Sequence, residues 1–187
     1  MKILPTGHQF LWVRLVVDSL LSGLGNRSDI IDLDKRLRGL PGDLEKLYHH
    51  TLMHHIDPVY IERTSMIFQI TQVDSLDTLL SILNFAFTDP SYIDRPINEV
   101  IHPWTTNKIS ITCQNMEDRM KVRCAGLLEV SGSVATLHSI RSPKADRGVQ
   151  FLHRTVRDYW EKPEVWSMVL SKTNDPDFSP EISLLKS

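Results

Sequence analysis

The chain has 187 residues, 41% hydrophobic and 24% charged, enough for one compact domain or two small units sharing a core. Its two cysteines, Cys113 and Cys124, have no C-x-x-C spacing, which argues against a disulfide framework or a four-cysteine metal site and fits a reducing, cytoplasmic setting. The net charge of −2 hides an asymmetry: from Arg119 to Arg157, eight basic residues (Arg119, Lys121, Arg123, Arg141, Lys144, Arg147, Arg154, Arg157) stand against Glu129 and Asp146, a local +6 that leaves −8 for the rest. Such a split fits a local anionic partner, whether nucleotide, nucleic acid or acidic protein surface, and equally a solvated basic face.

In chain order, the first segment is Gln9–Leu24, apolar almost all the way round. A helix of that kind expects cover on several sides. Arg14 and Asp18 interrupt it, it falls short of the ~20 residues a membrane span needs, and it lacks a small-residue cleavage site. Those two charges stand one turn apart and can pair, in the less favourable order along the helix. After Gly23, Gly25 and Asn26, Ser28 or Asp29 can cap a second helix with Ile30, Leu33 and Leu37 as its stripe, ending near Gly39. A third follows "LPGD", with Asp43 and Glu45 in its first turn and Leu44, Leu47, Tyr48 and Leu52 on its buried face.

"IDPVY" starts a fourth helix, because Asp57 caps well and Pro58 suits the first helical position. Its inner face reads through Ile61, Ser65, Phe68 and Gln72. A fifth is expected after "VDSLD", capped by Asp74 or Ser75 and carrying Leu79, Leu80, Leu83 and Phe87. Residues 88–104 read as a loop with at most a short helical turn, and 108–124 as a helix. The period then changes: "GLLEV", the turn "SGS" and "VATLHSI" predict a β-hairpin, and "VQFL" a third short strand, with "RSPKADRG" a basic surface loop. The last dozen residues read as loosely held. The fold class expected is mainly α with a small β-hairpin wing, a helical segment (1–40) followed by a winged-helix-like domain (41–165) and a loosely ordered C-terminal extension (166–187).

Chemical motifs are scarce. "YHHTLMHH" puts His50 and His54 at the spacing of two metal ligands, but Thr51 occupies the glutamate position of H-E-x-x-H and no third ligand is signalled, so these read as surface histidines. No G-x-x-x-x-G-K-[ST] occurs, so the backbone cradle and lysine that hold β- and γ-phosphates are missing, and no G-x-S-x-G signals a nucleophile. No catalytic residue and no metal site is assigned. His153, in "VQFLHRTVRDYW", falls where a strand becomes a helix, beside backbone N–H groups that suit an anion. Its imidazole can donate to a phosphate, and Arg154 and Arg157 add charge that a bound anion would reconcile with the helix dipole. The competing reading is a cap residue followed by two solvated arginines.

"FLWVRLVVDSLLSGL", "LRGLPGDLEKLYHHTLMHHIDPVY", "RCAGLLEV" and "VQFLHRTVRDYW" resemble, in this order, the region after the nucleotide-binding core of fungal NACHT-type signalling NTPases. These belong to the STAND class, with NOD-like and plant resistance receptors as more distant relatives. The resemblance implies that the first motif is a helix packed behind the nucleotide-binding sheet and that the rest is a winged-helix region. "LHRTVRD" is similar to the M-H-D motif of the class, so His153 would contact the β-phosphate of ADP, with Leu152 its apolar neighbour and Arg154 and Arg157 nearby. Arg154 stands where the wider motif has Asp, so that aspartate's role does not carry over.

The family's P-loop and Mg²⁺-binding aspartates should lie upstream of the first motif. The chain is therefore expected to be the C-terminal part of such a switch, not an enzyme and with no cofactor of its own, its partner being a nucleotide-binding domain that reads ADP or ATP. Two alternatives stand beside this: a nucleic-acid-binding winged helix using the basic region, and an interaction module that self-associates or docks on full-length relatives through its first helix. The overall acidic charge, and the absence of a basic recognition helix, weigh against nucleic acid.

Overall fold

The computed structural model describes residues 6–25, 29–74, 80–88, 104–132 and 145–185. Helix α1 spans Thr6–Gly25, α2 Ile30–Gly39 and α3 Leu44–His54. A 3₁₀ turn, Pro58–Tyr60, leads into α4, Ile61–Asp74; then come α5, Ile82–Thr88, and α6, Thr106–Arg123. Strands β1, Leu128–Ser131, and β2, Gly148–Phe151, are followed by α7, Arg154–Trp160, α8, Pro163–Leu170, and α9, Pro180–Leu185. The architecture is mainly α with a small antiparallel wing, as the pattern predicts.

Short polar side chains cap these helices, Asp29 as expected and Asp43 and Thr105 in addition. Asp29 accepts the Asp32 N–H at 2.8 Å, Asp43 that of Lys46 at 3.1 Å, and Thr105 that of Lys108 at 3.3 Å. Asp57 caps the 3₁₀ turn rather than α4 itself, accepting from Val59 N–H at 2.9 Å. The fifth helix starts later than its apolar stripe suggests. Leu80 and Ser81 are extended instead, and β2 uses them: Val149 N–H donates to the Leu80 carbonyl at 2.9 Å and Ile82 N–H to that of Arg147 at 2.8 Å. Leu80 is thus a sheet-edge residue, and Ser81 caps α5.

The wing pairs β1 with β2 in the register Leu128↔Phe151, Glu129↔Gln150, Val130↔Val149 and Ser131↔Gly148. Among the described residues the partner of β1 is therefore the segment expected as a third strand. "VATLHSI", at 134–140, lies outside the described residues, as do most of the expected 88–104 loop and Arg141 and Lys144. Between α6 and β1 the chain turns through Ala125 (φ 47°) and Gly126 (φ 76°), both left-handed.

Helix α4 is the axis of the core. Phe68 packs against Trp160 of α7 with ring centroids 4.0 Å apart, and Phe151 of β2 closes the cluster at 6.3 Å from Phe68. Two buried hydroxyls of α4 bond carbonyls at the ends of other helices. Thr64 Oγ1 donates to the Arg123 carbonyl at 3.0 Å, at the end of α6, and Ser65 Oγ donates to the Val169 carbonyl in the last turn of α8. Gln69 Nε2 donates to Thr173 Oγ1 at 2.7 Å.

Those bonds bear on the C-terminal residues expected to be loosely held. Helices α8 and α9 both pack on α4, Ser183 is buried, and the boundary expected at 165 falls inside α8. The covering surface is apolar, which the polar text of 171–181 conceals.

At the other end, α1 buries Leu11, Leu15 and Val16 and is tied down by Trp12 Nε1, which donates to the Pro41 carbonyl at 2.8 Å. Its opposite face is uncovered: Phe10 is 79% exposed, Val13 50%, Val17 44% and Leu21 57%, one stripe at helical spacing. Helix α2 buries none of its residues, so Ile30, Leu33 and Leu37, expected as a core stripe, pack no core. Arg14 does not make its anticipated bond with Asp18; its Nη2 donates to Glu129 of β1 at 3.1 Å, a partner 115 residues away that helical spacing could not reveal.

Candidate functional site

His153 sits where β2 gives way to α7, and its side chain is the N-cap of that helix. The Thr155 backbone N–H donates to His153 Nδ1 at 3.2 Å, and Thr155 Oγ1 lies 3.0 Å from the same nitrogen. Thr155 Oγ1 is also 2.7 Å from the hydroxyl of Tyr48 in α3. Since Nδ1 accepts the backbone bond, a neutral ring carries its proton on Nε2. The hydroxyl chain then runs one way: Tyr48 O–H to Thr155, Thr155 O–H to Nδ1. Capping and presenting a donor are therefore compatible, because they use different nitrogens of one exposed ring.

Sequence reasoning found His153 but not what orients it. Tyr48 reads as a core residue, and nothing in its helix predicts a bond to a residue 107 positions away. The same seam holds Tyr159, whose hydroxyl is 3.1 Å from His49 Nδ1, and Lys162, whose Nζ bonds Glu45. Burial pushes the Tyr159 phenol up to about 12, with Glu45 and Glu164 adding to the effect, and burial likewise raises Tyr48 against the pull of its Thr155 bond.

Arg154 and Arg157 are not brought together on His153. Each turns down its own helix, Arg154 to Asp158 at 3.8 Å and Arg157 to Glu161 at 2.8 Å. The dipole cost that a bound anion was expected to relieve is met internally by acids one turn on. Other members of the basic region behave alike. Arg147 and Lys121 both bond Glu117 and, against its burial, hold that carboxyl below its ordinary range; Arg123 lies over the Tyr60 ring at 5.4 Å. Much of the +6 is thus neutralised within the fold, which weakens the case for a phosphate-tracking nucleic-acid surface.

Of the two α3 histidines expected at the surface, His54 is exposed and His50 is partly buried. His50 Nδ1 is buried without a hydrogen-bond partner, and its ring centroid lies 4.7 Å from that of His54 and 5.2 Å from that of His55. His55 Nε2 is 3.5 Å from Ser19 Oγ of α1, while Arg36 of α2 donates to the Ser19 carbonyl at 2.8 Å. Among the described residues no group of three or more His, Cys, Asp or Glu is arranged to hold a metal ion. Burial, then the nearby charges of His50, Arg36 and His54, push His55 down to about 4, and burial lowers His50 as well. His54 and His55 open onto a cleft of about 910 Å³ walled by α1, α3, α6 and β1.

These features define a mainly helical protein with a small antiparallel wing, in which a histidine caps the helix at a strand-to-helix junction. The chain belongs to the DUF7791 family, a domain of unknown function, which matches residues 55–187. The match takes in α4 through α9 and both strands, and leaves α1, α2 and α3 outside. No curated protein and no solved structure matches the chain. Among the described residues no helix is long and apolar enough to cross a membrane.

Proposed function

We propose that this chain is a non-catalytic regulatory part of a NACHT-type signal-transduction ATPase, acting in the cytoplasm, whose winged-helix-like portion senses whether the nucleotide held by a nucleotide-binding domain is ADP or ATP. The four ordered motifs support this reading, and the observation that carries it is the Thr155 N–H bond to His153 Nδ1 at 3.2 Å, with which a neutral ring carries its proton on Nε2. An Nε2–H donor suits a phosphate oxygen of ADP. Contact with one nucleotide state and not the other supplies the differential affinity that a population shift requires. Arg154 and Arg157 are engaged by Asp158 and Glu161, so in this reading the phosphate contact falls mainly to His153. The uncovered stripe of α1 is the face on which the nucleotide-binding domain would rest.

The test is calorimetric. The chain alone should neither hydrolyse ATP nor bind ADP tightly. Mixed with a separately produced NACHT-type nucleotide-binding domain, it should prefer the ADP-loaded over the ATP-analogue-loaded form by about tenfold or more, the ordinary range of such coupling. His153→Asn, which keeps a cap but removes the imidazole donor, should abolish the preference. Low-micromolar ADP binding by the chain alone, or a preference that survives His153→Asn, would sink the reading. The exposed α1 stripe also favours a second one, docking on full-length relatives or on itself; a clean monomer by size exclusion with light scattering counts against self-association.

A further inference from the structure

We propose that His50, His54 and His55 form an acid-released latch that holds α1 and α2 against the body of the fold. The cluster stands where three elements meet: His50 and His54 on α3 with His55 at its end, Ser19 from α1, and Arg36 from α2 bonded to the Ser19 carbonyl. Helix α2 buries no residue of its own, so little else fixes it. His55 is also the first residue of the family match, which places the latch at the seam between the matched domain and the helices before it.

Protonation here has few places to go. A proton on His50 Nδ1 would be buried without an acceptor, and a proton on His55 would face Arg36 and the other two rings. Once one ring is charged, the next meets a like charge about 5 Å away. The end of α3 favours positive charge through its dipole, but burial outweighs it at His55. The other charged groups lining the cleft are Arg14 and Asp18 of α1, Glu117 and Lys121 of α6, and Glu129 of β1. Glu117 is held by Arg147 and Lys121, and Glu129 by Arg14. Undocking α1 and α2 carries the rings into water, where they charge freely.

The sign is fixed by the lowered values: the docked state prefers neutral rings, so docking is complete above the ordinary histidine range and weakens as pH falls from about 6.5 toward about 4. Hydrogen exchange on the full chain, corrected for intrinsic rates and compared at pH 7.5 and pH 5, reads this directly. Amides of α1 and α2 should lose protection on the order of tenfold or more at the lower pH, while those of α4 hold. His50→Gln with His55→Gln should flatten the response. Equal protection at both pH values, or an unchanged loss in the variant, would overturn the latch. If the variant does not fold, ring-proton titration of the unaltered chain decides: a His55 midpoint well below the others supports the latch, and an ordinary midpoint refutes it.

Discussion

Thr155 joins two jobs through one oxygen. Its hydroxyl accepts from buried Tyr48 and donates to the ring of His153, so removing it strands a phenol inside the core and leaves the imidazole its backbone bond alone. Thr155→Val should therefore cost about 1–3 kcal/mol by urea denaturation, while Thr155→Ser should cost far less and keep the His153 ring signals in place. Tyr159 makes a prediction of opposite pH sense to the histidines. Its phenol is raised to about 12, so the folded state retains a proton that the unfolded chain gives up near 10. Stability should be complete below pH 10 and fall as pH climbs toward 12, by roughly 1–2 kcal/mol, a slope that Tyr159→Phe should remove. Cys113 and Cys124 are both buried, and burial pushes the Cys124 thiol up to about 12, so a thiol-specific reagent should label neither until the chain is denatured. At this scale the sequence made His153 visible because strand and helix patterns meet there; Thr155, Tyr48 and His55 stayed hidden because their partners lie 36 to 107 residues away.

Among the elements, the turn from α6 to β1 is the most sharply constrained. Gly126 holds φ 76°, and a Cβ there would stand 3.6 Å from the Asp18 carboxylate of α1. Space is adequate, so the penalty for Gly126→Ala is conformational, about 1–2 kcal/mol in thermal or urea unfolding. Ala125 already bears such a cost at φ 47°, and Ala125→Gly should be neutral or stabilising. Most elements were legible in the sequence because each carries its own cap and stripe. The exceptions share a physical cause. Leu80 satisfies a helical spacing yet serves a sheet edge, and α2 displays an amphipathic pattern with no core beneath it. Periodicity reports which side chains share a face, but not what that face meets.

For the whole molecule, the C-terminal residues act as a lid on α4, through Ser65 to Val169, Gln69 to Thr173, and the Asn174 N–H to Glu62 at 2.8 Å. Removing residues 171–187 should strip the Gln69 and Glu62 bonds and the α9 packing together. The shortened chain should show a clearly lower urea midpoint and gain an exposed-apolar-surface dye signal; an unchanged midpoint would mean that the lid is dispensable. No local pattern in the polar stretch before Pro180 announces this role.

The same bonds set a schedule for the chain as it is made. Ser65 waits for Val169, 104 residues later, and Tyr48 waits 107 residues for Thr155. At about 5–20 residues per second of synthesis, α4 stands without its cover for roughly 5–20 seconds. During that interval Phe68 lacks Trp160, and the Ser65 hydroxyl lacks the Val169 carbonyl. Completion of the core thus waits on residues made 104 positions after Ser65, which close over an apolar helix made before them.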